Sequence, residues 1–155
     1  MTYKNLNVLL ADDDADDCYF FKEALKEVAV SSQLAIVNDG EQLMSYLLEN
    51  SEHLPTFLFL DINMPRKNGL ECLKEIRQNN LFKELSVIMF STSNSWDTIN
   101  MLFKSGAHVY IHKPSDFAQL KQVIHHAIPL ALEKIFTNKP LKYILNAENT
   151  KQSSY

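Results

Sequence analysis

Reactive side chains stand where apolar runs end in this chain. Asp12-Asp13 follows Val8-Leu9-Leu10-Ala11, Asp61 follows Phe57-Leu58-Phe59-Leu60, and Lys113-Pro114 comes just after Val109-Tyr110-Ile111. A fourth run, Val87-Ile88-Met89-Phe90, stops at Ser91-Thr92. If these runs are parallel strands of one sheet, carboxylates, a hydroxyl and an ammonium converge on one edge. That is where open parallel sheets bind ligands, beyond the carboxyl ends of the strands. The set suits a divalent cation and a phosphoryl group. Carboxylates packed this closely repel, so without a cation at least one pKa should rise. All-oxygen ligation by few carboxylates, with waters retained, suits Mg²⁺. The backbone carbonyl of Asn63 could complete such a site.

Each signature also has a purely structural reading. Acids early in a helix are favoured by its positive end. That reading competes for Asp12 and Asp13 and fits Asp14, Asp16 and Asp17 better, with Asp14 as N-cap. Lys113 could be a solvated lysine, Ser91 a loop hydroxyl and Tyr110 an edge-strand aromatic. His53, His108, His112, His125 and His126 have no metal-ligand spacing, and there is no G-x-G-x-x-G or P-loop lysine motif.

The elements that must position these groups alternate: short apolar runs, then longer stretches of helical period. This pattern predicts repeated β-α units around a parallel sheet covered on both faces. Cys18, Phe21, Leu25 and Val28 form one stripe of a first helix over about 15–29. A second strand fits Leu34-Ala35-Ile36-Val37, and Asp39 with Gln42 supplies a capping box for a helix carrying Leu43 and Leu47. Asn68 and Glu71 repeat that pattern ahead of Leu70, Leu73 and Ile76. Trp96 starts a helix with Ile99, Leu102 and Phe103, which Gly106 can end in a left-handed conformation. Ser115 is the expected cap of a last helix whose Phe117, Leu120, Ile124 and Ala127 face inward. Pro129 should kink or end that helix. Beyond Pro140, Leu141, Ile144 and Leu145 could dock on the domain or on a partner, and from Asn146 the polar end should fray.

With 155 residues the chain has room for one domain of ordinary size, here divided as residues 1–130 and a C-terminal extension, 131–155, partly helical and then frayed. A formal net charge of −4 offers no general attraction to nucleic acid or an anionic membrane. No apolar stretch reaches the roughly 18 residues of a membrane span, and the start lacks a secretory segment. Cys18 and Cys72 read as small buried hydrophobes of a reduced, cytoplasmic protein.

At this point the chain resembles the receiver domains of two-component response regulators, over roughly residues 6–128. The residues that carry the resemblance are Asp12-Asp13, Leu60-Asp61-Ile62-Asn63-Met64-Pro65, Asn68-Gly69, Ser91-Thr92, Tyr110 and Lys113-Pro114. The run Met64-Pro65-Arg66-Lys67-Asn68-Gly69 and the acids Asp16-Asp17 are most similar to stand-alone receivers of the phytochrome-associated type. The resemblance implies a doubly wound, flavodoxin-like sheet of five parallel strands in the order 2-1-3-4-5. It implies Asp61 as phosphoacceptor from the phosphohistidine of a sensor histidine kinase or histidine phosphotransferase. It implies Mg²⁺ held by Asp13, Asp61 and the Asn63 carbonyl, with Asp12 acting through water. Lys113 and Ser91 would contact the phosphoryl oxygens. Ser91 and Tyr110 would form the switch, Tyr110 rotating from outside to inside, and the Lys113-Pro114 peptide would be cis. The resulting expectation is a single-domain signalling protein rather than an enzyme, a monomer or weak homodimer whose output is contact with a downstream protein, a relay to a histidine phosphotransfer protein, or a phosphate sink.

Two readings compete. One is an Mg²⁺-dependent phosphatase or phosphotransferase with an aspartyl nucleophile; against it, that chemistry usually needs an acid two residues after the nucleophile, and Asn63 stands there. The other is a binding module that never receives phosphate.

Overall fold

The computed structural model describes residues 4–29, 31–137 and 142–149. Its elements alternate as the apolar runs predict: β1 (Lys4–Ala11), α1 (Ala15–Val28), β2 (Ser31–Val37), α2 (Gly40–Glu49), β3 (Phe57–Leu60), α3 (Gly69–Gln78), β4 (Ser86–Ser91), α4 (Trp96–Lys104), β5 (Val109–His112), α5 (Phe117–Thr137) and β6 (Tyr143–Leu145). The sheet order is β2-β1-β3-β4-β5-β6, every neighbouring pair parallel.

Because successive side chains of a strand point to opposite faces, each strand feeds two cores. Val8, Leu10, Phe57, Phe59, Ile88, Phe90, Val109 and Ile111 pack with α1 and α5. Leu9, Leu58, Leu60, Val87, Met89 and Tyr110 pack with α2, α3 and α4. On the first face Phe21, Phe59 and Phe90 meet edge to face, with ring centroids 4.8 to 6.5 Å apart. The strands are therefore apolar on both sides, which is why they read as continuous runs.

Helix starts follow the predicted caps, with two differences. Asp14, Asp39 and Asn68, and also Ser95 ahead of α4, where the sequence reading names no cap, each accept a hydrogen bond from the backbone N–H three residues on. Asn68 and Glu71 close a reciprocal capping box. The Gln42 side chain instead accepts from the backbone of Asn38, one residue before the cap. The cap of α5 is Asp116 rather than Ser115: its carboxylate accepts from the Gln119 N–H at 2.7 Å. A carboxylate one residue nearer the helix reaches the free N–H groups of the first turn. Gly106 ends α4 at φ +107°, as expected of a residue without a Cβ.

The C-terminal segment departs from expectation. Of the two outcomes expected at Pro129, a kink or an end, the end does not occur: α5 runs through it to Thr137. The proline is exposed on the outer side while Ile128 and Ala131 are fully buried. Packing of that inner face outweighs the one hydrogen bond a proline lacks. Residue 130, the expected end of the first segment, lies within α5, whose inner face is buried. The sheet has six strands rather than five, because Tyr143–Leu145 adds to the β5 edge. The Tyr143 N–H donates to the His108 carbonyl at 3.0 Å. Asn146 to Asn149 do not fray but form a turn in which Asn146 Oδ1 accepts from the N–H of Glu148 and of Asn149. Leu141 and the end of the chain from Thr150 lie outside the described residues.

Candidate functional site

The sheet ladder itself places the reactive residues. The backbone N–H of Asp12 donates to the last carbonyl of β2 (Val37, 3.0 Å), that of Asp61 to the last of β1 (Ala11, 3.0 Å), and that of Lys113 to Ser91 at the end of β4 (2.8 Å). Each is thus one ladder step beyond its neighbour's end, and all emerge at the same edge. One carboxylate oxygen from each of Asp12, Asp13 and Asp61 falls within 4.8 Å of the others. Asp12 is fully buried and Asp61 is 6% exposed, whereas Asp13 faces solvent.

Lys113 reaches into this group over the ring of Phe90, its Nζ 5.1 Å from the ring centroid. The ammonium lies 2.8 Å from Asp12 Oδ2, 3.0 Å from Asp17 Oδ2 and 3.4 Å from Asp61 Oδ2. Asp12 spends its other oxygen on the Asp14 N–H at 3.0 Å. Burial is the main force on the carboxylates. It pushes Asp61 up to about 6, against the opposing attraction of Lys113 and a hydrogen bond from the Asn63 N–H. Asp12 is raised for the same reason, with Lys113 again opposing. Burial alone would lower Lys113, but its carboxylate partners together raise it above an ordinary lysine. The cysteines stay inert: burial lifts the Cys18 thiol to about 11 and the Cys72 thiol to about 12, so neither is a thiolate near neutrality.

The β3–α3 loop carrying Asn63 is held by the buried side chain of Met64 and by a hydrogen bond from Gly69 N–H to the Ile62 carbonyl, 2.8 Å. A Cβ on Gly69 would lie 2.2 Å from the carbonyl oxygen of Asp61. Only glycine lets α3 start against the backbone of the Asp61 loop.

Ser91 and Tyr110 occupy the neighbouring strand ends. Ser91 is fully buried, and its hydroxyl accepts from the Ser93 N–H at 3.4 Å. Tyr110 differs from the outward starting position implied by the resemblance. Its ring is 1% exposed, and its hydroxyl donates to the Ser93 carbonyl at 2.6 Å. Ile144 of β6 pairs with Tyr110 in register, closing the sheet edge beside it. The Lys113-Pro114 peptide is trans, as are all peptides described. The hydrogen bond from Lys113 to Ser91 positions the lysine without the rarer isomer.

Sequence reasoning therefore brings Asp12, Asp13, Asp61 and Lys113 together as they are found; at Asn63 it names the carbonyl, whereas the backbone group bonded to Asp61 is the N–H. It misses Asp17, read only as a first-turn acid. No local pattern marks it, because its partner Lys113 lies 96 residues away.

The arrangement can bind a cation among carboxylates and neutralise a second anion with Lys113. Comparison with known proteins agrees. The family model described as response regulator receiver domain matches residues 8–125. Response regulator Rcp1 of Synechocystis sp. is 28% identical over 132 residues, 83% of this chain and 90% of the relative. The structure of the phosphorylated cyanobacterial phytochrome response regulator RcpA superposes with a TM-score of 0.73 at 28% identity, covering 87% of this chain and 96% of that one. The Mn²⁺-bound form of response regulator Rcp1 gives 0.70 at 27%, covering 84% and 94%. Among the described residues no helix is long and apolar enough to cross a membrane.

Proposed function

Since this chain belongs to the response regulator receiver family, we propose that Asp61 is its phosphoacceptor and that Asp12, Asp13, Lys113, Ser91 and Tyr110 serve that acceptance and its readout. The observation that carries the reading is the meeting of three carboxylates, Asp61 among them, and one ammonium at the strand ends. The donor is the phosphohistidine of a sensor histidine kinase or histidine phosphotransferase, and the setting is the cytoplasm. An Asp61 carboxylate oxygen attacks phosphorus, the P–N bond breaks with its electron pair returning to the imidazole, and an acyl phosphate remains. A phosphoryl group in flight needs positioning and charge neutralisation more than covalent help. Lys113 neutralises one equatorial oxygen from where it now stands, and the Ser91 hydroxyl donates to another.

The donor set fits a hard cation: oxygen-only, closely spaced, with a buried carboxylate that is hard to ionise unaided. Asp13, Asp61 and the Asn63 carbonyl would hold Mg²⁺, with Asp12 behind a water, and the metal would supply positive charge to the phosphoryl oxygens. New charge on Asp61 pulls on Ser91 and thereby on the β4–α4 loop, which Tyr110 grips through Ser93. The face formed by α4, β5 and α5, edged by β6, then changes for a downstream protein. Absence of a second acid at residue 63 sets this apart from an aspartyl phosphatase.

Incubation with phosphoramidate and Mg²⁺, read by intact mass, tests the proposal. One phosphoryl group should add to the wild-type chain and none to Asp61→Asn. Continuous turnover of the donor would favour a phosphatase instead, and no addition an inert binding module.

A further inference from the structure

Lys113 has a partner that the phosphoacceptor reading does not use. Its ammonium carries three N–H donors. One goes to Asp12 at 2.8 Å and one to Asp17 at 3.0 Å, while Asp61 lies at ion-pair distance, 3.4 Å. Asp12 is the deep anchor, fully buried, while the Asp17 side chain is 43% exposed and stands nearer the solvent. Its backbone is fixed independently, because the Asp17 N–H donates to the N-cap Asp14 at 2.9 Å. Asp17 thus sits on a pinned first turn and reaches to a lysine 96 residues away in the chain. Beside it opens a pocket lined by Asp17, Phe20, Phe90, Lys113, Pro114 and Phe117 among others. Without Asp17, the lysine would have solvent-accessible space on that side.

We propose that Asp17 is a positioning residue for phosphoryl acceptance: by taking one hydrogen bond from the Lys113 ammonium it holds the lysine between a deep and a shallow carboxylate, so that the ammonium stays at ion-pair distance from Asp61. A lysine ammonium is a point charge on a flexible four-carbon stem and does not orient itself. Two short anchors remove that freedom before the donor arrives. The inference rests on Asp61 being the phosphoacceptor. It assigns to Asp17 no contact with substrate or metal, only an action through Lys113.

The test compares Asp17→Ala, Asp17→Asn and, as control, Asp16→Ala. Asp16 is an exposed acid in the same first turn, so its loss removes the same charge without touching Lys113. The rate of phosphoryl uptake by Asp61 is followed by intact mass across phosphoramidate concentrations in saturating Mg²⁺. Because misaligned reacting groups lose rate rather than donor binding, the maximal rate of Asp17→Ala should fall on the order of tenfold with unchanged half-saturation. Asp17→Asn keeps an acceptor oxygen and should recover most of the rate, and Asp16→Ala should match wild type. In the unphosphorylated protein, the ¹⁵N resonance of Lys113 Nζ should shift in Asp17→Ala and stay in Asp16→Ala. An Asp17→Ala rate equal to or above wild type overturns the inference, as does equal slowing by the alanine and asparagine variants or by Asp16→Ala. No uptake by the wild-type chain overturns the phosphoacceptor reading itself, a result distinct from uptake that is indifferent to Asp17.

Discussion

Removing the negative charge of Asp61 should make the metal-free protein more stable, and by an amount that depends on pH in a definite way. Asp61 is 6% exposed, and burial lifts its carboxyl from 3.8 to about 6 in the folded chain. The attraction of Lys113 is already part of that net shift. At 1.36 kcal/mol per unit, a rise of about two units is a penalty of about 3 kcal/mol on the ionised native state. The native protein holds this proton over a range where the unfolded chain has released it, so stability falls as pH rises from about 4 to about 6. Below that window the carboxyl is protonated in both states and the penalty vanishes; above it the penalty is complete. Asparagine has the same shape and no charge at any pH. Urea denaturation of wild type and Asp61→Asn in EDTA, followed by circular dichroism from pH 4.5 to 7.5, should show a small gap at the acid end. By pH 7 the variant should lead by up to about 3 kcal/mol. Mg²⁺ should close the gap, since a ligand at a hundred times its Kd adds about 2.7 kcal/mol to the state that binds it. A variant no more stable than wild type at pH 7 in EDTA, or a gap that does not widen with pH, would refute the claim that this carboxylate is held under strain.

Lys113→Met strips the cation from a pocket holding buried Asp12 and Asp61. It should cost about 3–5 kcal/mol at pH 7, less near pH 5 where Asp61 takes up a proton, as denaturation at the two pH values will show. Gly69→Ala forces a Cβ to within 2.2 Å of the Asp61 carbonyl. A loss of about 1–3 kcal/mol follows from overpacking, and weaker Mg²⁺ binding by calorimetry should accompany it because the Asp61 loop moves. Tyr110→Phe deletes the hydrogen bond to the Ser93 carbonyl. The global loss should be about 1 kcal/mol, and amide exchange should quicken in the β4–α4 loop; unchanged exchange there would detach Tyr110 from that loop.

Asp12, Asp61 and Lys113 were readable because each follows a strand that is apolar on both faces, a pattern a parallel sheet imposes and linear order preserves. The caps at Asp14, Asp39 and Asn68 were readable too, since a cap and its N–H lie three residues apart. Each of these is a local relation or a strand-end position. Asp116 displacing Ser115 shows the resolution of such local reading: adjacent polar residues compete, and one residue of helix phase decides between them.

Contacts that skip many residues were settled by packing alone. The Asp17–Lys113 pair joins the first helix to the fifth strand's end, the Gly69 approach joins α3 to the Asp61 carbonyl, and β6 joins a three-residue run to β5. None has a period or motif, because each depends on how far two elements stand apart once the sheet is built. The inward ring of Tyr110 and the unbroken α5 at Pro129 belong with them. There the choice is made by what covers the residue: Ile144 beside the tyrosine, and the sheet beneath Ile128 and Ala131. Composition and order thus specify which groups arrive at the edge, while tertiary packing specifies how they face one another. Side-chain chemistry is written residue by residue, but distance between remote elements exists only after burial has brought them together.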